Sequence, residues 1–249
     1  MSSPELDSKT PPKEQVRRRV WRLMEEFGVS RPPRPIYRRI PNFVGAETAA
    51  RRLLELDEFK SAETVKVNPD SPQRPVREQV LRTGKTLLTP TPRLRGGFLL
   101  VKPGYVSDRN YSFAATIKGS FRYGRRVDLR NLPKPDLLVV GSVAVSPDGS
   151  RLGKGGGYSE LEYAILSELR LLDERTPIAT TVHESQIVDA VPMEAHDIKL
   201  DIIATPNRTL RTNATRAGRG SLVWNLVTEA MIHEIPVLKE LHGTERIKS

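Results

Sequence analysis

Residues 135–172 read PDLLVVGSVAVSPDGSRLGKGGGYSELEYAILSELRLL, and the character of the chain changes twice within them. Residues 135–145 are a near-continuous run of leucine and valine, the composition of a strand buried on both faces. Residues 146–157 are turn formers: Pro-Asp-Gly-Ser, then glycines at 153, 155, 156 and 157 with the cations Arg151 and Lys154 among them. From Tyr158 onward the apolar residues fall at helical spacing, with Leu161, Ala164, Ile165, Leu169 and Leu172 on one stripe. A strand, a glycine-rich turn and a helix make a place for an anion. The turn leaves backbone N–H groups unpaired, the helix start carries a partial positive charge, and glycine lets a ligand approach the backbone closely. The turn is not a P-loop, because no Gly-Lys-Ser/Thr ends it, and its spacing does not match the dinucleotide fingerprint. A glycine cluster is also compatible with a tight turn that holds nothing; the position between the strongest strand and a well-patterned helix favours the anion.

Outward from this block the chain alternates. A helix is predicted from Pro12, with Val16, Val20, Leu23 and Phe27 as its apolar stripe and Lys13 and Arg17, four apart, on one face. A Pro- and Arg-rich extended connection follows at 29–43. Helices are predicted at 45–56 and 73–84, and strands at 63–68, 85–92, 97–104, 176–183 and 200–206. Residues 105–130 show no clear period, and 221–241 read as a helix interrupted at Pro236. The pattern predicts an α/β sandwich with a mainly parallel sheet, a single domain over 13–249 after a disordered tail at 1–12. The absence of cysteine excludes disulfides and thiolate chemistry. There is no apolar run of the roughly 18–20 residues that span a bilayer, and the N-terminus lacks the apolar core of a signal peptide. A cytoplasmic protein without membrane contact is expected. A net charge of +10 suits a solvated surface, a nucleotide or RNA.

The stretch PDLLVVGSVAVSPDGSRLGKGGGYSE resembles the signature of the 5-formyltetrahydrofolate cyclo-ligases, also called methenyltetrahydrofolate synthetases. KEQVR at 13–17, GKTLLTPTP at 84–92 and ESQIVDAVPMEAHDIKLDIIATP at 184–206 extend the likeness in the right order. IPNFVGAETAA, VKVNPDSPQ and PTPRLRGGF look like a divergent branch, the methenyltetrahydrofolate synthetase domain-containing proteins. The resemblance implies a three-layer α/β/α fold of the sugar-isomerase (NagB/RpiA) and CoA-transferase type. It also implies ATP- and Mg²⁺-dependent cyclisation of 5-formyltetrahydrofolate, or a related reduced folate or pterin, to 5,10-methenyltetrahydrofolate.

Carried over by position, the resemblance makes Lys13, Arg17, Arg151, Gly153, Lys154, Gly155, Gly156, Gly157 and Tyr158 the nucleotide-binding set. Arg151 and Tyr158 are also its catalytic candidates, and Glu160 and Asp197 its metal candidates. The sequence departs from the family where Ser159 replaces a second tyrosine and Glu160 an aspartate. On the pterin side, Asn68, Pro69 and Asp70 stand where a glutamate is expected, and Asp70 is the substitute carboxylate. Arg93 and Arg95 lie in a segment that is aromatic in the family, as cations for a polyglutamate tail, another anion or RNA. The alternative to an enzyme is a nucleotide- or RNA-binding protein that keeps the fold without the chemistry. A sugar-phosphate or CoA-ester enzyme of the same broad fold is a third reading.

Overall fold

The structure, a computed structural model, describes residues 12–214 and 227–245. The expected tail, apart from Pro12, and residues 221–226 of the expected last helix lie outside the described residues. In chain order the elements begin with α1 (Pro12–Glu26), the short pair β1 (Ser30–Arg31) and β2 (Asn42–Phe43), α2 (Ala46–Leu54) and α3 (Asp57–Lys60). Next come β3 (Thr64–Val67), α4 (Arg74–Arg82), β4 (Thr86–Pro90), β5 (Phe98–Val101), α5 (Tyr111–Ala114), α6 (Ile117–Tyr123) and β6 (Arg125–Val127). The glycine block contributes β7 (Leu137–Val140), β8 (Ala144–Val145), β9 (Arg151–Leu152) and α7 (Tyr158–Glu168). The chain continues through β10 (Ile178–Thr181), β11 (Ile202–Ala204), β12 (Thr209–Arg211), α8 (Glu229–Glu234) and α9 (Pro236–Glu245).

An 8-stranded sheet runs in the order β12-β11-β10-β7-β3-β4-β5-β6. Its interior pairs, β11–β10, β10–β7, β7–β3 and β3–β4, are parallel, and antiparallel pairs close both edges. Side chains alternate between the faces. Val65, Val67, Leu87, Leu137 and Val139 pack with Ala50, Leu53, Val76 and Val80 of α2 and α4. Leu88, Leu138 and Val140 face the other way, toward α7, where Leu161, Ile165 and Leu166 meet Ile235 and Leu238 of the C-terminal helices. This is the expected α/β/α layering, and the order of strands reverses between β3 and β7, the position where open sheets of this kind leave a crevice.

Three local expectations are corrected. Helix α1 buries Val20, Trp21 and Met24 against the β8–β9 pair and the loop before α2, whereas Phe27 is 65% exposed. The apolar face is therefore rotated from the one the valine and leucine spacing suggested, toward Trp21 and Met24, while Val16 and Val20 remain on it. Residues 146–157 are two turns rather than one, separated by β9. In the first, Asp148 accepts hydrogen bonds from Ser146 Oγ at 2.6 Å and Ser150 Oγ at 2.7 Å. Burial raises its pKa, but these bonds, the Ser150 N–H and Lys199 overcome that and bring it to about 2. Residues 105–130, where no period was visible, hold α5, α6 and the edge strand β6, whose Arg125 and Arg126 are exposed. Charge on an edge strand discourages further pairing. No described helix is long and apolar enough to cross a membrane.

Candidate functional site

A cleft of about 890 Å³ opens at the carboxyl ends of β3, β4 and β7, lined by the segments 68–71, 91–93 and 151–160, by α1 and by the proline-rich loop 33–40. The glycine turn forms one wall. Gly157 caps α7 in the left-handed conformation at φ 66°, and Gly155 has φ 98°. A side chain is strained at either position. The first helical bond of α7 runs from Leu161 N–H to the Gly157 carbonyl at 2.9 Å. Among the described residues, no protein acceptor takes the N–H groups of Lys154 to Glu160. The turn is therefore a row of uncommitted donors at a helix start, which attracts anions through both the N–H groups and the helix dipole.

Two cations border that row. Arg17 of α1 donates Nε to the Gly153 carbonyl at 2.8 Å, and its guanidinium lies beside Gly155. Lys154 reaches across the cleft to Asp70 Oδ1 at 2.7 Å. Asp70 follows β3, and the 68–70 segment is fastened from below by Arg77, which donates to the carbonyls of Asn68 and Asp70 and, at 2.8 Å, to that of Ala115. Burial draws the Arg77 pKa down to about 10, against the pull of Asp70.

The floor is polar and almost closed to solvent. Arg151, 2% exposed, donates Nε and Nη2 to the Gly141 carbonyl at 3.1 and 2.7 Å, pairs through Nη1 with Glu160 Oε1, and reaches Ser159 Oγ at 3.1 Å. Lys66 sits on the α7 face of the sheet with Leu88 and Leu138 as its register neighbours. It pairs with Glu162 and donates to Asn68 Oδ1 at 2.6 Å. Asn68 Nδ2 in turn donates to Ser159 Oγ at 2.9 Å. Burial pushes the Glu162 pKa up, Lys66 opposes it, and the charges of Asp70 and Glu160 add to the rise.

The structure brings Arg17, Arg151, Gly153, Lys154, Gly155, Gly156, Gly157, Tyr158 and Glu160 to this one cleft. It does not bring Lys13 or Asp197 there. Lys13 pairs with Asp197 Oδ2 at 2.6 Å and Glu194 at 3.3 Å, and the same Asp197 oxygen accepts the Glu194 N–H at 2.7 Å. His196 stands beside these acids, 3.4 Å from Glu194. Gln186 is a buried brace, bonded to the Ser142 carbonyl at 2.9 Å. Glu160 and Asp197 thus do not form a shared metal pair, and among the described residues no group of three or more His, Cys, Asp or Glu side chains could hold a metal ion. With a single glutamate of α7 beside the turn, these residues would hold Mg²⁺ only together with phosphate oxygens, where it would offset phosphate charge. Glu160 lines the cleft and uses only Oε1 on Arg151.

Sequence reasoning missed Lys66 and Glu162. The available signal was a single charge inside the apolar strand TVKV and a glutamate between Leu161 and Tyr163. Each is the sort of buried charge that needs a partner. The walls supplied by Trp21 of α1 and by Tyr37 and Arg38 were also missed, the latter two because they belong to a connection with no periodicity.

The 5-formyltetrahydrofolate cyclo-ligase family matches residues 9–206. A methenyltetrahydrofolate synthase domain-containing protein of Mus musculus is 42% identical over 240 residues, 94% of this chain and 64% of its own. The chain thus spans less than two thirds of that relative's length. A 5-formyltetrahydrofolate cyclo-ligase of Escherichia coli (strain K12) is 25% identical over 171 residues, 65% of this chain and 88% of its own. Among solved structures, the NMR structure of an Aquifex aeolicus 5,10-methenyltetrahydrofolate synthetase shares the fold, with a TM-score of 0.52 at 20% identity over 83% of this chain and 96% of that one.

Proposed function

Because the chain belongs to the 5-formyltetrahydrofolate cyclo-ligase family, we propose that its cleft takes Mg-ATP on the glycine turn and converts 5-formyltetrahydrofolate, or a related reduced pterin, to 5,10-methenyltetrahydrofolate, with residues 13–249 as one unit. The observation that carries this reading is the row of uncommitted N–H groups from Lys154 to Glu160, with Arg17 and Lys154 beside it at the sheet crevice. N–H donors without a competing acceptor suit the oxygens of a triphosphate, and the two cations, held beside them by Glu14 and Asp70, add charge of the right sign.

Bound Mg-ATP would supply the phosphoryl group, leaving ADP, that turns the formyl oxygen into a leaving group; the neighbouring nitrogen would then close on the formyl carbon, giving up its proton to solvent as the carbon–oxygen bond breaks and phosphate departs. The chain's own residues position and balance charge. Arg17 and Lys154 offset the phosphates. When Lys154 turns to them it releases the Asp70 carboxylate, which then accepts N–H groups from the pterin edge. Pro92, Ile117 and Tyr158 supply apolar walls for a flat ring. Glu160 Oε2 is the carboxylate oxygen open to the metal. Arg151 acts through others, fixing the start of α7 against Gly141, and Lys13 holds α1 to the 194–197 loop.

The test is calorimetric titration with Mg-ATP, with and without 5-formyltetrahydrofolate, together with the growth of methenyl absorbance. Saturable nucleotide binding and product formation are expected; neither appearing would end the reading. A second reading, nucleotide binding without turnover, is favoured by the commitment of Glu160 to Arg151 and by Ser159 in place of an aromatic ring. It predicts the binding without the absorbance. RNA contact at the Arg93–Arg95 segment is less well supported, since Arg95 is already paired with Glu234 at 3.0 Å.

A further inference from the structure

Ser159 lines the cleft and is the meeting point of two chains of obligate donors. The Lys66 ammonium can only donate, and its 2.6 Å bond to Asn68 fixes the Asn68 oxygen toward Lys66 and the amide nitrogen toward Ser159. Arg151 can only donate as well, and its Nη2 reaches the same hydroxyl oxygen at 3.1 Å. A serine hydroxyl has two acceptor sites and one proton. Both acceptor sites are filled by protein donors. Among the described residues no protein acceptor takes a hydrogen bond from Ser159 Oγ. Its own hydrogen is left for something in the cleft.

The geometry points to Ser159 as a specificity-determining donor that reads a terminal phosphoryl oxygen of the ligand, with Lys66, Asn68 and Arg151 as the positioning residues that aim it. The ligand class follows from what surrounds the hydroxyl. The N–H of Ser159 and those of its neighbours from Lys154 to Glu160 are also uncommitted donors. A ligand group that meets this hydroxyl and the row of N–H groups meets donors, which suits the oxygens of an oxyanion, whereas the edge of a pterin presents donors and acceptors together. Ion pairs behind the positioning residues, Lys66 with Glu162 and Arg151 with Glu160, keep both cations in place. The hydroxyl is therefore oriented before any ligand arrives, and binding does not require it to abandon a protein partner.

This inference rests on the proposed nucleotide site and sharpens it. The experiment is titration of Mg-ATP and Mg-ADP into the wild-type chain and the variants Ser159→Ala, Ser159→Thr and Asn68→Asp, with a thermal melt of each. Ser159→Ala should weaken Mg-ATP about tenfold, the scale of one hydrogen bond to a charged group, and leave Mg-ADP within about twofold. Ser159→Thr keeps the hydroxyl and should retain the wild-type preference for ATP. In Asn68→Asp a carboxylate faces Ser159 and captures its hydrogen, so the same loss should appear, and Ser159→Ala/Asn68→Asp should be no weaker than Ser159→Ala. Equal ATP affinity in Ser159→Ala and wild type would overturn the assignment while leaving the nucleotide site standing. So would losses that multiply in the double variant, which would indicate charge repulsion rather than a turned hydroxyl. If Ser159→Ala does not fold, the Thr and Asp variants carry the same decision. Absence of any nucleotide binding by the wild type would overturn both this inference and the functional reading beneath it.

Discussion

Gly156 has no Cβ, and one built there would lie 2.9 Å from the Tyr158 ring. Gly156→Val should therefore push the ring and the turn apart. Mg-ATP affinity should fall by about tenfold or more, the scale of lost charge-assisted hydrogen bonds, with the melting temperature little changed. Arg151 behaves oppositely. Its guanidinium is buried among protein partners, so Arg151→Ala leaves Glu160 and the Gly141 carbonyl without their donor. A loss of about 3–5 kcal/mol in urea-unfolding stability is expected, the scale for breaking a buried pair. Asp148 gives a pH signature. With its pKa held near 2 rather than the ordinary 3.8, the carboxylate favours the fold at neutral pH, and that contribution falls away as pH drops from about 4 through about 2. Melts of wild type and Asp148→Asn should differ at pH 7, and the difference should shrink steeply between about pH 4 and about pH 2. A difference at pH 2 as large as that at pH 7 would show that the turn is held some other way. The Arg151 and glycine positions were legible in the sequence. What the side chain of Arg151 touches was not, since the partner carbonyl at Gly141 follows a strand end that only the three-dimensional pairing defines.

At the scale of elements, the strand at 137–140 and the helix at 158–168 were legible because composition and period agree there. Helix α7 is nonetheless buried all round from Leu161 to Leu166, and its one-stripe reading missed Glu162. Sequence spacing shows which residues share a helix face, but not that a lysine 96 residues earlier in the chain waits opposite. The Lys66–Glu162 pair ties α7 to β3. Lys66→Met alone strands the Glu162 carboxylate and should cost about 3–5 kcal/mol, whereas Lys66→Met/Glu162→Leu should recover most of that loss. Denaturant unfolding of the two singles and the double measures it. Additive losses would mean that the pair does not act as a unit.

Across the whole molecule, the parallel centre of the sheet could be foreseen from the alternation of strands and helices, whereas the crevice between β3 and β7 needed the strand order. The antiparallel edges were harder, because β6 and β12 are short, polar and placed by their neighbours. The C-terminal helices belong to the same core as α7. Leu238 of α9 is fully buried, and Leu238→Ala should cost about 2–5 kcal/mol in global stability; a change under about 0.5 kcal/mol would place α9 outside the cooperative unit. The net charge of +10 and the cleft cations predict that nucleotide binding weakens as salt is raised. The most direct test of the account is an amide nitrogen–proton correlation spectrum of the isotope-labelled protein titrated with Mg-ATP. Saturable shifts should be largest at the amides of Lys154 to Glu160. An unchanged turn, or shifts confined to another surface, would contradict the claim that these N–H groups hold the triphosphate.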